Sequence, residues 1–222
     1  MKYKIQNIVS SKHNAVKRDY LKRMFNQKTY CMKIAKKYDY NYWDGNRKYG
    51  YGGYKYIPGY WKNAAQKIIK IYRLNNKSKI LDVGCGKGFL LYELKKILPG
   101  LKIVGYDISI YAINNAKKEI RENLFVHKAQ KKTKFKNNYF DLVISIGCLH
   151  NLHIYDLKKS IKEINRIAKK AYLMVESYRN NKELFNLQCW ALTASIFFST
   201  IEWKWILNNF NYKGDIEFIY FK

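Results

Sequence analysis

One short segment, residues 80–89 with the sequence ILDVGCGKGF, constrains the fold of this chain more than any other feature. An apolar run ends at an acidic residue, passes through three glycines and enters an apolar-rich stretch, which predicts a strand, a tight turn and a helix. Gly84, Gly86 and Gly88 carry no β-carbon, so a ligand can closely approach the backbone N–H groups at the helix start. The segment therefore predicts a ligand site where a strand meets a helix.

From residue 79 onward, short apolar runs alternate with amphipathic segments, which predicts an α/β fold with a doubly wound, mostly parallel sheet and helices on both faces. Strands are predicted at residues 79–83, 102–106, 123–127, 140–146, 171–176 and 214–221. Helices are predicted at residues 61–72, 89–98, 110–122, 155–168, 182–198 and 200–209, with an irregular piece after Ala129. A single strand is evident after the fifth, although this architecture commonly ends in an antiparallel pair.

The first 60 residues have a different pattern. Apolar residues recur at helical spacing from residue 14 to residue 38, which predicts one or two amphipathic helices forming a cap. Residues 40–56 mix aromatics with glycines and have neither helical nor strand period, so they predict a loop. This loop could fold over a ligand as a water-excluding lid, or it could be a surface loop packed by its own aromatics. We expect residues 1–60 to form this cap and loop and residues 61–222 to form the core.

The chain is strongly basic, with 43 Lys+Arg against 16 Asp+Glu and a net charge of +27. Such a charge can indicate a nucleic acid, an anionic membrane or a polyanionic substrate. Most of the excess is Lys and accompanies abundant Ile, Asn and Tyr, which favours a genome-wide bias and solvated helix faces. Arg would be more telling, because its planar fork matches phosphate. A phosphate-bearing small substrate is compatible with both interpretations.

The four cysteines form no CxxC pair and show no ligand spacing with histidine, so neither a disulfide framework nor a metal site is predicted. The N-terminal residues lack the apolar core of a signal peptide. No stretch approaches the ~20 apolar residues that span a bilayer. We therefore expect a cytoplasmic protein without a membrane span or a metal.

Two further stretches accompany the glycine turn. Residues 104–109 end the second strand at Asp107, whose two oxygens suit the vicinal hydroxyls of a ribose. The fourth strand ends where such sheets form their ligand crevice. In this order, the three stretches resemble the motifs of class I (Rossmann-like) S-adenosylmethionine-dependent methyltransferases. Phe89 stands where a dinucleotide fingerprint has its third glycine, which favours S-adenosylmethionine over NAD.

The resemblance implies S-adenosylmethionine as the cofactor. The resemblance also implies that Asp82 and the glycines line the methionine end of the cofactor. It implies further that Asp107 binds the ribose and that Ile108 packs near the adenine. The cofactor-binding candidates are Asp82, Gly84, Cys85, Gly86, Gly88, Asp107, Ile108, Ala129, Gln130, Ser145 and Ile146. Ala129 and Gln130 depart from the family pattern, which often has an acidic residue beside the adenine.

Methyl transfer is an in-line displacement that needs aligned reactants and, for some acceptors, a base beyond the carboxyl edge of the sheet. His150 and His153 follow the fourth strand and Glu176 ends the fifth, so we expect all three to face one crevice, with His150 as the first candidate. Either histidine could instead be a helix-start or core residue. Glu176 could instead orient Arg179 or the substrate.

The substrate-binding candidates are aromatics and cations near the expected crevice: Arg47, Tyr49, Tyr51, Tyr54, Lys55 and Arg179. The three cations suit a phosphate or a carboxylate, although a solvated role is open for each. Trp190, Trp203 and Trp205 fit the core better than a sugar platform.

Residues 42–56, 175–180 and 188–193 resemble segments of small bacterial methyltransferases of surface-polysaccharide and modified-sugar biosynthesis. This implies a sugar or nucleotide-sugar acceptor. The alternatives are an RNA methyltransferase, which the charge favours, and a catalytically silent scaffold that keeps the fold. Against RNA, the fourth strand is not followed by the Asn/Asp-Pro-Pro-Tyr stretch of many base-amino methylators.

Overall fold

The computed structural model describes residues 4–14 and 16–222, and its centre is a six-stranded sheet in the order β3-β2-β1-β4-β5-β6. The strands are β1 Lys79–Val83, β2 Lys102–Asp107, β3 Leu124–Val126, β4 Leu142–Ile146, β5 Ala171–Glu176 and β6 Asp215–Ile219. All five pairings are parallel, including that of β5 with β6. The predicted fold class is confirmed, and the one strand after β5 continues the parallel sheet.

Ten α-helices surround the sheet in the described part of the chain. They are α1 Ser10–Asn14, α2 Tyr20–Phe25, α3 Lys28–Ala35, α4 Tyr40–Trp43, α5 Lys62–Tyr72, α6 Phe89–Ile97, α7 Ile110–Asn114, α8 Ile154–Ile167, α9 Asn181–Trp190 and α10 Thr200–Asn209. Short 3-10 turns cover Arg47–Tyr49, Lys118–Asn123 and Leu149–Asn151.

Several predicted helices are too long. The helix predicted at 182–198 ends at Trp190, because Ala191 adopts an extended backbone with φ −63° and ψ 131°. The helix predicted at 110–122 ends at Asn114 and is followed by the 3-10 turn. The segment after Ala129 forms turns and bends without a helix. Conversely, the loop predicted at 40–56 begins with α4.

Alternate residues of the strands point to opposite faces of the sheet, and both faces are buried. On one face Ile80 packs with Ile68 of α5 and Leu91 of α6, all fully buried. On the other face Leu81 lies in a cluster with residues of α8 and α10, including Trp203. The predicted helices on both faces are therefore confirmed.

The N-terminal residues run beside β6. Ile5 forms a parallel bridge to Ile216, and the buried carboxylate of Glu217 accepts the N–H groups of Ile8, Val9 and Ser10 at 2.6 to 2.9 Å. This carboxylate therefore satisfies backbone donors at the start of α1, which have no partner within the helix. Residues 1–3 and 15 lie outside the described residues. They belong to the segment predicted to form the cap, and residues 1–3 also belong to the N-terminal stretch that lacks the apolar core of a signal peptide.

Among residues 4–14 and 16–222, no helix combines the length and the apolar character needed to cross a bilayer. The same residues hold no group of three or more His, Cys, Asp or Glu side chains suited to a metal. All four cysteines are free thiols.

Candidate functional site

A cavity of about 690 Å³ lies at the carboxyl ends of the strands, beneath the N-terminal helices. Open parallel sheets bind their ligands at this edge, where the chain order reverses between β1 and β4. The cavity collects fourteen of the residues predicted for the site: Asp82, Gly84, Cys85, Gly86, Asp107, Ile108, Ala129, Ile146, His150, Glu176, Arg47, Tyr51, Tyr54 and Lys55. Segments more than 100 positions apart in the chain therefore meet in one crevice.

Three predicted catalytic or substrate residues do not line it. His153 is exposed at the N-cap of α8 and does not line the cavity. Arg179 is exposed, forms a two-point ion pair with Glu183 and does not line the cavity. Tyr49 packs edge-on against Tyr30 within the cap, with ring centroids 6.1 Å apart.

Three predicted cofactor residues also lie outside the lining. The Ser145 hydroxyl is buried and donates to the carbonyl of Val83 at 2.9 Å. Gln130 extends toward Asp156, with its amide nitrogen 3.4 Å from the carboxylate. Gly88 is the N-cap of α6, and its φ of +71° allows the chain to pass from the glycine turn into the helix. All three support the site without reaching it.

The glycine turn is held open by its own backbone bonds and by Asp107. Gly84 and Gly86 have φ values of +78° and +55°, which glycine adopts without strain. The N–H of Gly86 donates to Oδ2 of Asp107 at 2.8 Å, and that of Ser109 donates to Oδ1 at 2.8 Å. Each carboxylate oxygen keeps a second lone pair, so Asp107 can still accept hydroxyl groups from a ligand.

Asp82 is the electrostatically exceptional group of the cavity. Its side chain is 5% exposed, and its Oδ1 has no hydrogen-bond partner. Burial, reinforced by the charge of Asp107, raises the pKa of Asp82 to about 8. A buried carboxyl without a partner is costly in its charged form, so the site would be stabilised by a cationic ligand.

Trp43 covers the glycine turn, a role that the sequence did not indicate. Its Nε1 donates to the hydroxyl of Ser109 at 2.9 Å, and a β-carbon placed on Gly86 would lie 2.8 Å from its ring. The indole stacks on Tyr51 with ring centroids 5.3 Å apart. The aromatic loop is thus packed by its own rings and at the same time forms one wall of the cavity.

A buried ion pair fixes this loop to the turn. Nζ of Lys87, within the glycine turn, lies 2.6 Å from Oδ2 of Asp44, which also accepts the hydroxyl of Tyr111 at 2.8 Å. Although burial alone acts to raise the pKa of Asp44, the bonds from Lys87 and Tyr111 hold it below its ordinary value. Asp44 therefore stays ionised near neutral pH and connects the loop to α6 and α7.

His150 and Glu176 meet in the middle of the crevice. Nε2 of His150 lies 3.4 Å from Oε2 of Glu176, and the backbone N–H of Glu176 points at Nδ1 at 3.4 Å. The His150 side chain is 5% exposed and that of Glu176 is 19% exposed. The carboxylate is therefore the member of the pair that a second ligand could reach.

The structure is a Rossmann-like α/β domain with a glycine-lined cavity at the carboxyl edge of its sheet. Residues 74–214 match the model of a family described as a methyltransferase domain, and the chain belongs to that family. A methyltransferase domain with this fold uses S-adenosylmethionine as its methyl donor.

Curated relatives include demethylmenaquinone methyltransferase of Chlorobaculum tepidum, which is 33% identical over 51% of this chain and 46% of that protein. The mitochondrial arginine-hydroxylase NDUFAF5 of Homo sapiens is 30% identical over 56% of this chain and 35% of its own length. The chain thus spans half or less of the curated relatives it matches.

Among solved structures, one similar fold is a chain of the Haloferax volcanii complex that contains the Trm112 methyltransferase activator. It has a TM-score of 0.53 and 18% identity over 69% of this chain and 76% of that chain. At this identity the likeness shows the shared fold.

Proposed function

We propose that this chain transfers a methyl group from S-adenosylmethionine to an oxygen or nitrogen of a small molecule. The observation that carries the proposal is the buried, unpartnered Oδ1 of Asp82 beside the glycine turn. When bound, S-adenosylmethionine supplies an electrophilic methyl carbon on a sulfonium sulfur. Its positive charges suit the acidic end of the cavity, and its ribose suits Asp107.

Within this proposal, different residues of the chain bind different parts of the donor. Asp82 and the turn of Gly84, Cys85 and Gly86 would hold the methionine end. Asp107 would hold the ribose hydroxyls, with Ile108, Ala129 and Ile146 beside the adenine. All of these residues line the cavity, which supports the assignment.

The acceptor's proton would be taken by Glu176, with His150 positioning it. Both residues line the cavity, and Glu176 is the more exposed. His150 directs one ring nitrogen to the carboxylate and the other to the backbone of the same residue, which fixes the carboxylate's orientation. An oriented base within reach of the substrate is what general-base catalysis requires.

The acceptor that we propose is a sugar or a nucleotide-sugar of surface-glycan biosynthesis, on the basis of the sequence resemblance. Tyr51, Tyr54 and Lys55 line the cavity from the aromatic loop and would contact it, with residues 1–60 acting as a cap and lid over the core of residues 61–222. We also propose a cytoplasmic location, which the four free thiols support.

An RNA acceptor is the second candidate, favoured by the net charge of +27. Counterion release makes RNA binding depend on many basic residues placed along one surface. Among the described residues that line the cavity, the basic ones are Lys55, Arg18, Arg23 and Arg47, a small share of the 43 Lys and Arg residues of the chain, which favours the small-molecule acceptor.

The test is transfer of labelled methyl from S-adenosylmethionine into a small-metabolite extract and into total RNA, with Asp82→Ala as the control variant. Label in the small-molecule pool alone supports the proposal, and chromatography then identifies the metabolite. Label in RNA alone overturns it in favour of the second candidate. Donor binding without transfer to either pool would indicate a silent scaffold or a macromolecular acceptor and would count against the proposal.

A further inference from the structure

We infer that Arg18, Arg23 and Arg47 form a binding site for the phosphate groups of the acceptor, at the end of the cavity opposite Asp82. The inference rests on the proposed function only in assigning the bound anion to the methyl acceptor. All three arginines line the cavity together with Trp190. The class of substrate that this site selects is a phosphate ester or a diphosphate.

The three guanidinium groups surround one indole. The carbon at the centre of each group lies 5.4 Å (Arg18), 4.6 Å (Arg23) and 5.3 Å (Arg47) from the ring centroid of Trp190. Arg18 follows α1, Arg23 belongs to α2 and Arg47 starts a 3-10 turn. Three separate segments of the first 60 residues thus place their positive charges around Trp190, the last residue of α9.

These charges have no carboxylate partner. Arg23 donates to the carbonyls of Arg47 and Lys48, and Arg47 donates to the carbonyl of Gly50. Arg18 donates to the carbonyls of His13 and Val16 and to Nδ1 of His13. Within the described residues, no Asp or Glu lies within ion-pairing distance of any of the three.

Two of the four arginines outside the cluster have a carboxylate partner. Of the chain's seven arginines, Arg166 pairs with Glu163 and Arg179 pairs with Glu183, whereas the exposed Arg121 donates to the carbonyl of Ala116. Gathering three unpaired arginines at one aromatic ring, in a chain that otherwise relies on lysine, is difficult to explain as surface charge. Arginine presents the planar fork that binds phosphate in two-point fashion.

Glu176 acts on Arg18 from beyond ion-pairing distance, whereas burial and mutual repulsion disfavour the charges of the cluster. Burial, reinforced by the charge of Arg18, lowers the pKa of His13 to about 4, so this ring is neutral at physiological pH. Burial, reinforced by the charge of Arg47, lowers the pKa of Arg23 to about 10. Nε of Arg18 is buried without a hydrogen-bond partner. An anion beside the guanidinium groups would offset their mutual repulsion and the cost of burying their charges.

The cluster is separate from the donor end of the cavity. Arg18 lies 5.2 Å from the ring of Phe221, just beyond β6, whereas Asp82 belongs to β1. Three strand spacings separate β1 from β6 in the sheet order, which corresponds to about 14 Å. Glu176, at the end of β5, lies between them. An acceptor anchored at the arginines would therefore extend past Glu176 toward the donor.

The test uses inorganic pyrophosphate as the probe, titrated calorimetrically into the intact protein, with S-adenosylhomocysteine titrated separately. The variants are Arg23→Gln, Arg47→Gln and Arg23→Lys, which keeps the charge but loses the fork. Arg121→Gln is the matched control, because Arg121 is exposed and lies outside the cavity lining. Circular dichroism and Tm establish that each variant is folded.

We expect Arg23→Gln and Arg47→Gln to raise the Kd for pyrophosphate by about tenfold or more, as for a lost charge-assisted hydrogen bond, with a smaller rise for Arg23→Lys. Arg121→Gln should leave it unchanged, and the Kd for S-adenosylhomocysteine should stay constant throughout. Equal pyrophosphate affinity in all variants would overturn the inference. So would a loss of S-adenosylhomocysteine affinity in the cluster variants, since the arginines would then serve the donor's carboxylate. If pyrophosphate binding depends on the cluster but the wild type binds no S-adenosylhomocysteine, the anion site stands and the proposed function fails.

Discussion

Glu176 faces His150 twice, once through its backbone N–H, 3.4 Å from Nδ1, and once through its carboxylate, 3.4 Å from Nε2. If Nδ1 accepts the backbone proton, the neutral ring carries its own proton on Nε2, directed at the carboxylate. His150 then has no lone pair open to a substrate, whereas the Glu176 carboxylate keeps several. The pair is therefore arranged for Glu176 to accept a proton and for His150 to hold it in place.

The first prediction follows from this arrangement. We expect Glu176→Gln to lower kcat by about 10²- to 10⁴-fold, the usual contribution of a general base, with donor affinity unchanged. His150→Gln should cause a smaller loss, because it removes the orienting contact and leaves the carboxylate. Steady-state rates of labelled-methyl transfer into the acceptor pool, beside calorimetric donor affinities, measure both effects. A greater loss in His150→Gln than in Glu176→Gln would reverse the two roles.

The second prediction concerns protons released on donor binding. With its pKa raised to about 8, Asp82 is largely protonated at pH 7, and a cationic donor favours the ionised form. Binding of S-adenosylhomocysteine, whose ammonium group supplies that charge, should release a proton at pH 7 and strengthen as the pH rises from 6 to 8. Calorimetry in two buffers of different ionisation enthalpy measures the release. Asp82→Asn should abolish it, whereas release that persists in this variant would assign the proton to another group.

The third prediction also concerns Asp82 and addresses the stability of the protein without ligand. Because the folded-state pKa of Asp82 lies above its ordinary value, its protonated form is favoured by folding, and stability is lost as the pH rises through the interval between about 4 and 8. Asp82→Asn should therefore raise Tm at pH 8.5 and change it much less at pH 4. Thermal melts at both pH values test this. A Tm that falls at pH 8.5 would show that the carboxylate has a partner in the folded protein.

The fourth prediction compares two glycines with positive φ. Alanine at Gly86 would place a β-carbon 2.8 Å from the Trp43 ring, whereas at Gly53, with φ +107°, it would meet no atom within 4 Å. Both substitutions strain the backbone by about 1 to 3 kcal/mol, but only Gly86→Ala places a new atom against the indole. We expect a loss of donor affinity in Gly86→Ala of at least about tenfold, as 1.4 kcal/mol corresponds to tenfold. Equal affinities in the two variants would show that Trp43 does not contribute to the donor site.

A fifth prediction tests the anchor of the N-terminal segment. Glu217 is 1% exposed and accepts three backbone N–H groups and the Tyr172 hydroxyl, the last at 2.6 Å. Glu217→Gln replaces an acceptor oxygen by a donor and should lower the free energy of unfolding by about 2 kcal/mol. Urea denaturation measures this change in the free energy of unfolding, with Glu122→Gln as the control because Glu122 is exposed. Equal stability of the two variants would contradict the role of Glu217.

The sheet and the donor end were predictable because their signals are local. Buried apolar runs bounded by turns locate strands to within one or two residues, and Asp82 and Asp107 adjoin strand ends that a parallel sheet brings together. His153 and Arg179 lie outside the cavity lining, which spacing could not predict, because a short loop can direct a side chain to either side of the sheet edge. Arg23 lies within the predicted cap helices, and its position over Trp190 depends on how that cap packs on α9, which no spacing in the chain encodes.

Four positions separate Trp43, which covers the glycine turn, from Arg47, and the ion pair of Asp44 with Lys87 fixes the segment between them. In the mechanism that we propose, a ligand held by Arg47 also restrains the indole over the bound donor. Reactants would then enter in a compulsory order, with the donor first. Its demethylated product would leave last, after the methylated acceptor has released the arginines.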